Sequence, residues 1–230
     1  MYDSLSTHYP NAVSISDLQI NACAEVRDKG WDGDHSIWAT SLCSDEINAG
    51  FQIFNEKMAG PGPFVLGGIT GLPFAGITGF KAFLSHVPTN GLALIVYGPH
   101  IGITIDGQIG KVCRKNQDKP SSCCGSISAA VKAIQDHQSI ETNNPFDYQQ
   151  NRVIQHLSSY RDEIFSDEYP VKIATEKAYE VIENKFNHIL AESLPQFQGI
   201  CIGLIGGIQI NTDWGHEDYF DIRRYEWIEN

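Results

Sequence analysis

Two periods of hydrophobic positions alternate along the chain. Ile15, Leu18, Ala22 and Val26 recur at helical spacing behind Ser16 or Asp17, which predicts a helix over 13–27. Turn formers fill 29–34, and 37–43 then reads as a first strand. Ser44 or Asp45 caps a second predicted helix, carried by Ile47, Phe51, Phe54 and Met58 and stopped by Gly60-Pro61-Gly62-Pro63. A short strand over 64–68, a glycine-dense loop and a helix over 79–87 follow. The run Leu92-Ala93-Leu94-Ile95-Val96-Tyr97 is apolar throughout and has strand length. Strand, helix, strand, helix, strand is the order of a parallel sheet with covering helices.

Beyond residue 100 the pattern changes. Segments 101–105 and 108–112 flank Asp106-Gly107, a two-residue hairpin signal, and predict an inserted β-hairpin. Ile127, Ala130, Val131 and Ile134 share one face of a helix over 123–134. Two more helical segments are expected at about 145–165 and 171–190. The glycine-rich apolar run 199–208 reads as a buried central strand, and 219–227 as an edge strand. The fold class expected is α/β, a mostly parallel central sheet flanked by helices, in one domain over 1–230.

Charge narrows the partners. Sixteen basic against twenty-eight acidic residues leave a net charge of −12, which repels a phosphate backbone and argues against nucleic acid. No apolar run reaches the roughly 18 residues of a membrane span. The opening residues lack the basic-then-apolar pattern of a secretory signal, so an intracellular compartment is expected, cytoplasmic or organellar after removal of a transit peptide. Six cysteines in such a chain point to metal binding or catalysis before disulfides.

Three of the predicted element ends carry metal-binding side chains. Cys43 closes the first strand, His100 follows the apolar strand after Gly98-Pro99, and Cys123 or Cys124 opens a helix. Zinc takes thiolate and imidazole, and a catalytic zinc keeps three protein ligands and one open position. Parallel sheets place their sites at the carboxyl ends of strands, where Cys43 and His100 fall. Asp45 stands near enough to Cys43 to face the open position, or to serve as a helix cap. The plain alternatives are a buried Cys43 and a hydrogen-bonded loop residue at His100. His86 is the rival imidazole, but it follows a helix; Cys23, Cys113 and Cys201 read as buried thiols. The glycine-dense loop lacks the Gly-Lys-Ser/Thr ending of a phosphate cradle, and Leu72, Phe74 and Phe80 are expected to form an apolar wall.

Cys43-Ser44-Asp45, the strand ending in Gly98-Pro99-His100, and Cys124-Gly125 opening a helix resemble the order of motifs in β-class carbonic anhydrases. Closer still is the likeness to the limiting-CO2-inducible B/C family, also called theta-class carbonic anhydrases. It rests on Pro61 to Gly68, Gly71 to Gly76, His86-Val87-Pro88, Tyr97 to Gly102 and Ser122 to Gly125. The resemblance implies a β-carbonic-anhydrase-like fold, zinc on Cys43, His100 and Cys124, and Asp45 orienting a zinc-bound hydroxide that hydrates CO2 to bicarbonate. It also implies a homodimer. Cys124 is preferred to Cys123 because it precedes the glycine and because a helix's first turn favours a thiolate.

Two departures accompany it. In the β class the third ligand follows soon after the histidine, whereas here the hairpin intervenes. The β class also pairs its aspartate with an arginine where this chain has Ile47, so Arg27 and Arg114 are the candidates for that partner. A catalytically silent zinc protein, acting as a partner or sensor in inorganic-carbon uptake, is the alternative. A redox pair at Cys123 and Cys124 would lack the Cys-x-x-Cys spacing.

Overall fold

The computed structural model describes residues 3–138 and 144–229. Its first half runs α1 (Asp3–His8), β1 (Val13–Ser14), α2 (Ile15–Asp28), β2 (Ser36–Ser41), α3 (Gln52–Lys57), β3 (Phe64–Val65), α4 (Gly76–Leu84) and β4 (Leu92–Tyr97). Then come β5 (His100–Gly102), β6 (Lys111–Val112), β7 (Ser121–Ser122), α5 (Gly125–Gln135), α6 (Tyr148–Ser158), α7 (Arg161–Ile164), α8 (Pro170–Ser193), β8 (Cys201–Asn211) and β9 (Tyr219–Glu229). Among the described residues the main sheet has the order β1-β9-β8-β4-β2-β3, with β5 also paired to β8. Strands β2, β3, β4, β5 and β8 pair in parallel, while β1 and β9 are antiparallel.

Strand β4 is apolar throughout because both of its faces are covered. Ala93, Ile95 and Tyr97 pack with residues of α4, α5, α6 and α8, and Leu92, Leu94 and Val96 with residues of α2 and α3. Every residue of β8 is buried as well, and its length lets it template two strands in succession. Tyr97 stands opposite Gly206, and His100 opposite Gln209, in one continuous register. Gly98 and Pro99 interrupt the strand between them. Gly98 has φ +147°, and a Cβ there would fall 1.7 Å from the Gly207 carbonyl oxygen, so only glycine lets the chain pass. Gly98 N–H still donates to the Ser41 carbonyl at 3.1 Å, which ties the end of β4 to the end of β2. Those two ends carry His100 and the approach to Cys43.

The expected α/β class holds, with local differences. The helix expected after Asp45 divides into a 3-10 turn over Glu46–Asn48 and α3, because Gly50 breaks it and swings Phe51 and Phe54 under the Trp38 ring. The helix expected over 145–165 divides into α6 and α7 at Ser159-Tyr160. In the inserted segment the turn at Asp106-Gly107 forms, but its limbs meet only at an Ile103–Ile109 bridge. The return limb, β6, pairs instead with β7, Lys111 opposite Ser122 and Val112 opposite Ser121. Helix α1, absent from the hydrophobic pattern, is held by Leu5 beside Ile101, Ile103, Ile208 and Ile210.

Candidate metal centre

Three side chains converge at the carboxyl end of the parallel strands. Cys43 follows β2, His100 opens β5, and Cys124 is the N-cap of α5. All three are buried, and their ligand atoms lie within 4.8 Å of one another. Cys43 Sγ and Cys124 Sγ are 3.9 Å apart. Two sulfurs at about 2.3 Å on a tetrahedral zinc would be separated by about 3.8 Å, so the pair has the spacing the metal requires.

The histidine is oriented from behind. Asn211 Nδ2 donates to Asp218 Oδ2 at 3.0 Å and to the Ile47 carbonyl at 3.4 Å, which turns Asn211 Oδ1 toward the imidazole. His100 Nδ1 lies 2.8 Å from that oxygen and donates to it. The ring's lone pair is then on Nε2. This atom is buried and has no hydrogen-bond partner among the described residues, a cost that a metal ion would relieve. Cys123 sits on the other side of the ring, its sulfur 3.4 Å from Nδ1 and 3.6 Å from Asn211 Oδ1. Replacing Asn211 with leucine is expected to lower zinc affinity about 10–100-fold, the usual consequence of losing such a hydrogen bond, as read by competition with a chelator.

One thiol of the pair is arranged to ionise. A hydrogen bond from Cys124, and then contact with His100, hold the Cys43 thiol well below the usual range against the upward push of burial. Cys124 is raised in turn, by the same hydrogen bond and by burial. The pair thus offers one thiolate readily and gives up a second proton when a metal arrives. Cys43 Sγ also accepts from the Thr70 N–H at 3.1 Å. Thr70 has φ +64°, an uncommon conformation for a β-branched residue, in a loop held by Ser41 Oγ donating to the Gly71 carbonyl and Thr70 Oγ1 donating to Ser126 Oγ.

Asp45 lies beside this group, its Oδ2 4.0 Å from His100 Nε2. Arg114 Nη2 donates to the same oxygen at 2.8 Å, and Arg114 Nε lies 3.1 Å from Glu46 Oε1. Ser121 Oγ, 2.7 Å from Arg114 Nη1, steadies the guanidinium. Burial alone would raise the Asp45 carboxyl; a hydrogen bond with Glu46 and the Arg114 guanidinium are among the contacts that leave it below the ordinary carboxylate range. Asp45 also caps the following 3-10 turn, its Oδ1 accepting from the Ile47 N–H at 3.4 Å. Of the two candidate arginines, Arg114 is the one that meets Asp45. Arg27 instead lines a cleft with Cys23 and Lys57.

Other expectations fall elsewhere. His86 is exposed, edge-on to the Phe64 ring. Cys23 and Cys201 are buried, whereas Cys113 is only half-buried, because it borders a cavity of about 670 Å³ shared with Arg114 and Trp214. A cavity of about 360 Å³ adjoins Cys43 and Asp45, and its apolar wall is made by Trp38, Leu42, Phe51 and Val65. The expected wall is not there: Leu72 and Phe80 are buried in the core, since α4 turns Phe80 toward Phe83 and Phe186, and Phe74 faces a different cavity.

The model of the limiting CO2-inducible proteins B/C β-carbonic anhydrases matches residues 12–229. The chain belongs to that family. The crystal structure of PtLCIB4, a homolog of the limiting CO2-inducible protein LCIB, is similar at 32% identity and a TM-score of 0.89, covering 99% of this chain and 98% of that one. LCIB itself matches in fold at 20% identity and a TM-score of 0.75, over 100% of this chain and 96% of that chain. No curated protein sequence matches. Family membership accounts for the β-carbonic-anhydrase-like plan of the sheet. The residues that hold the group in place, Asn211, Asp218 and Thr70, have no motif of their own; the signal for Asn211 was a polar side chain at the far end of a glycine-rich apolar strand.

Proposed function

We propose that the protein is a zinc-dependent carbonic anhydrase, interconverting CO2 and bicarbonate, with zinc held by Cys43 Sγ, His100 Nε2 and Cys124 Sγ. The observation that carries this reading is the buried, unpartnered Nε2 of His100 beside two sulfurs at zinc-ligand spacing. A zinc ion bound there supplies a Lewis acid that makes water a nucleophile near neutral pH.

The chain's own residues do the rest. Arg114 holds Asp45 ionised and fixes the direction of Oδ2, which accepts a hydrogen bond from the reacting water and orients its lone pair. The same contact keeps the carboxylate from drifting onto the metal. Trp38, Leu42, Phe51 and Val65 offer CO2 an apolar approach to Cys43 and Asp45. The inserted segment supplies through Arg114 what the β class takes from a position close to its aspartate. Residues 1–230 act as one domain in this reading, as an intracellular homodimer in inorganic-carbon metabolism. Among the described residues no helix is long and apolar enough to cross a membrane.

One observation favours a second reading. Arg114 is divided between Asp45 and Glu46, and release of Asp45 would let its Oδ2, already 4.0 Å from Nε2, close the metal's open position. That state would bind zinc and be catalytically silent. Stopped-flow CO2 hydration with metal analysis separates the two. The active enzyme is expected to carry one zinc per chain and to hydrate CO2 well above buffer. Full zinc with no hydration from about pH 7 to 9 would establish the silent form.

A further inference from the structure

Residues 72–74, α6 and α8 enclose a second cavity, of about 320 Å³, that takes no part in the metal centre. Arg152 and His156, one turn apart on α6, enter it from one side, and Lys185 on α8 enters from another. Phe74 and Tyr148 stand edge to face at 6.3 Å in its wall. Pro73, His156 and Lys185 also border an adjoining cavity of about 540 Å³, whose lining includes Ile77 and Val181.

The charge of this place runs against that of the molecule. The chain has twenty-eight acidic and sixteen basic residues, yet neither cavity is lined by a carboxylate. Among the described residues Arg152, His156 and Lys185 make no ion pair; Arg152 Nη1 donates to Gln155 Oε1 at 2.8 Å and its guanidinium lies 5.1 Å from the centre of the Tyr148 ring. Burial, then Lys185 and Arg152, hold the His156 imidazole below the usual histidine range, so the three groups feel one another's field. Arg152 on α6 and Lys185 on α8 bring like charges to one cavity, and their repulsion costs stability. An anion in the cavity would offset that cost.

We propose that this cavity binds a small phosphate-bearing molecule, its oxygens held by Arg152, Lys185 and His156 and its apolar or aromatic body against Phe74 and Tyr148. A guanidinium fork, an ammonium and an imidazole arriving from different directions suit the several oxygens of a phosphate better than the two of a carboxylate. The rings give the body of the ligand a stacking surface. The assignment does not depend on the zinc reading.

Titration calorimetry of the full chain tests it, with phenyl phosphate and inorganic phosphate as separate probes at constant ionic strength. Phenyl phosphate is expected to bind saturably, one per chain, and more tightly than inorganic phosphate. Lys185→Gln and Arg152→Gln should each weaken it about ten-fold, the scale of one hydrogen bond to a charged group. Lys57→Gln, which removes an equal charge from the cleft beside α2, should leave it unchanged. No saturable binding of either probe would overturn the proposal, as would equal weakening in Lys57→Gln or none in Lys185→Gln. Inorganic phosphate binding as tightly as phenyl phosphate would overturn the role given to the aromatic wall.

Discussion

Replacing Cys43 with serine is expected to take zinc from one per chain to almost none, and CO2 hydration to the rate of buffer alone. A serine hydroxyl stays protonated at neutral pH and is a poor zinc ligand, whereas the Cys43 thiol is already held below the usual range by Cys124 and His100. Loss of an outer hydrogen bond to a ligand costs about 10–100-fold in metal affinity, and loss of the ligand itself costs more. The fold should survive, since the Thr70 N–H that Cys43 Sγ accepts can be met by an oxygen at the same place. Metal analysis and stopped-flow hydration on one preparation read both effects. Cys123→Ser is the matching control. Its sulfur lies on the Nδ1 side of the imidazole, near Asn211, so zinc should remain. Retention of full zinc by Cys43→Ser would show that the ligand set is wrong.

The difference between those two neighbouring cysteines marks how far the chain could be read as text. Apolar runs fixed in length by Gly, Pro and Asp placed the ends of β2 and β4, and with them Cys43 and His100, because a parallel sheet buries its strands on both faces and exposes chemistry only at their ends. Cys124 rested on a motif; its sulfur lies 3.9 Å from that of Cys43, whereas the sulfur of Cys123 lies 3.4 Å from His100 Nδ1. What stayed hidden depends on distances through space. Asn211 reaches His100 because β8 carries the register of β4 on past Gly98-Pro99, and no local pattern reveals that continuity. Arg114 reaches Asp45 because β6 and β7 fold the inserted segment over Glu46, a pairing that the hairpin signal at Asp106-Gly107 did not contain. The cationic cavity between α6 and α8 was equally silent, since Arg152, His156 and Lys185 meet only when the two helices pack.

Asp45→Ala is expected to keep zinc and lower the hydration rate about 100-fold or more, within the range for removing one positioned proton acceptor. The variant isolates this function because Arg114 remains anchored by Glu46 and Ser121 when the carboxylate is gone. Arg114→Ala tests the complementary half. It leaves Asp45 free to turn toward Nε2, so zinc should again be retained and rate lost, this time by closure of the open position. The pH dependence separates the carboxylate from the metal's own ionisation. Asp45 is held below the ordinary carboxylate range, so it is ionised throughout pH 7 to 9 and adds no inflection to the rate there. Its depressed pKa also stabilises the fold above the unfolded value of about 4, and that contribution is lost as pH falls through the lower folded value. In Asp45→Ala the neutral-pH inflection should therefore persist at a lower plateau, and the acid limb of the unfolding curve should flatten. A variant that turned over at the wild-type rate would remove Asp45 from the mechanism and leave Arg114 as no more than a surface tie between Glu46 and the inserted segment.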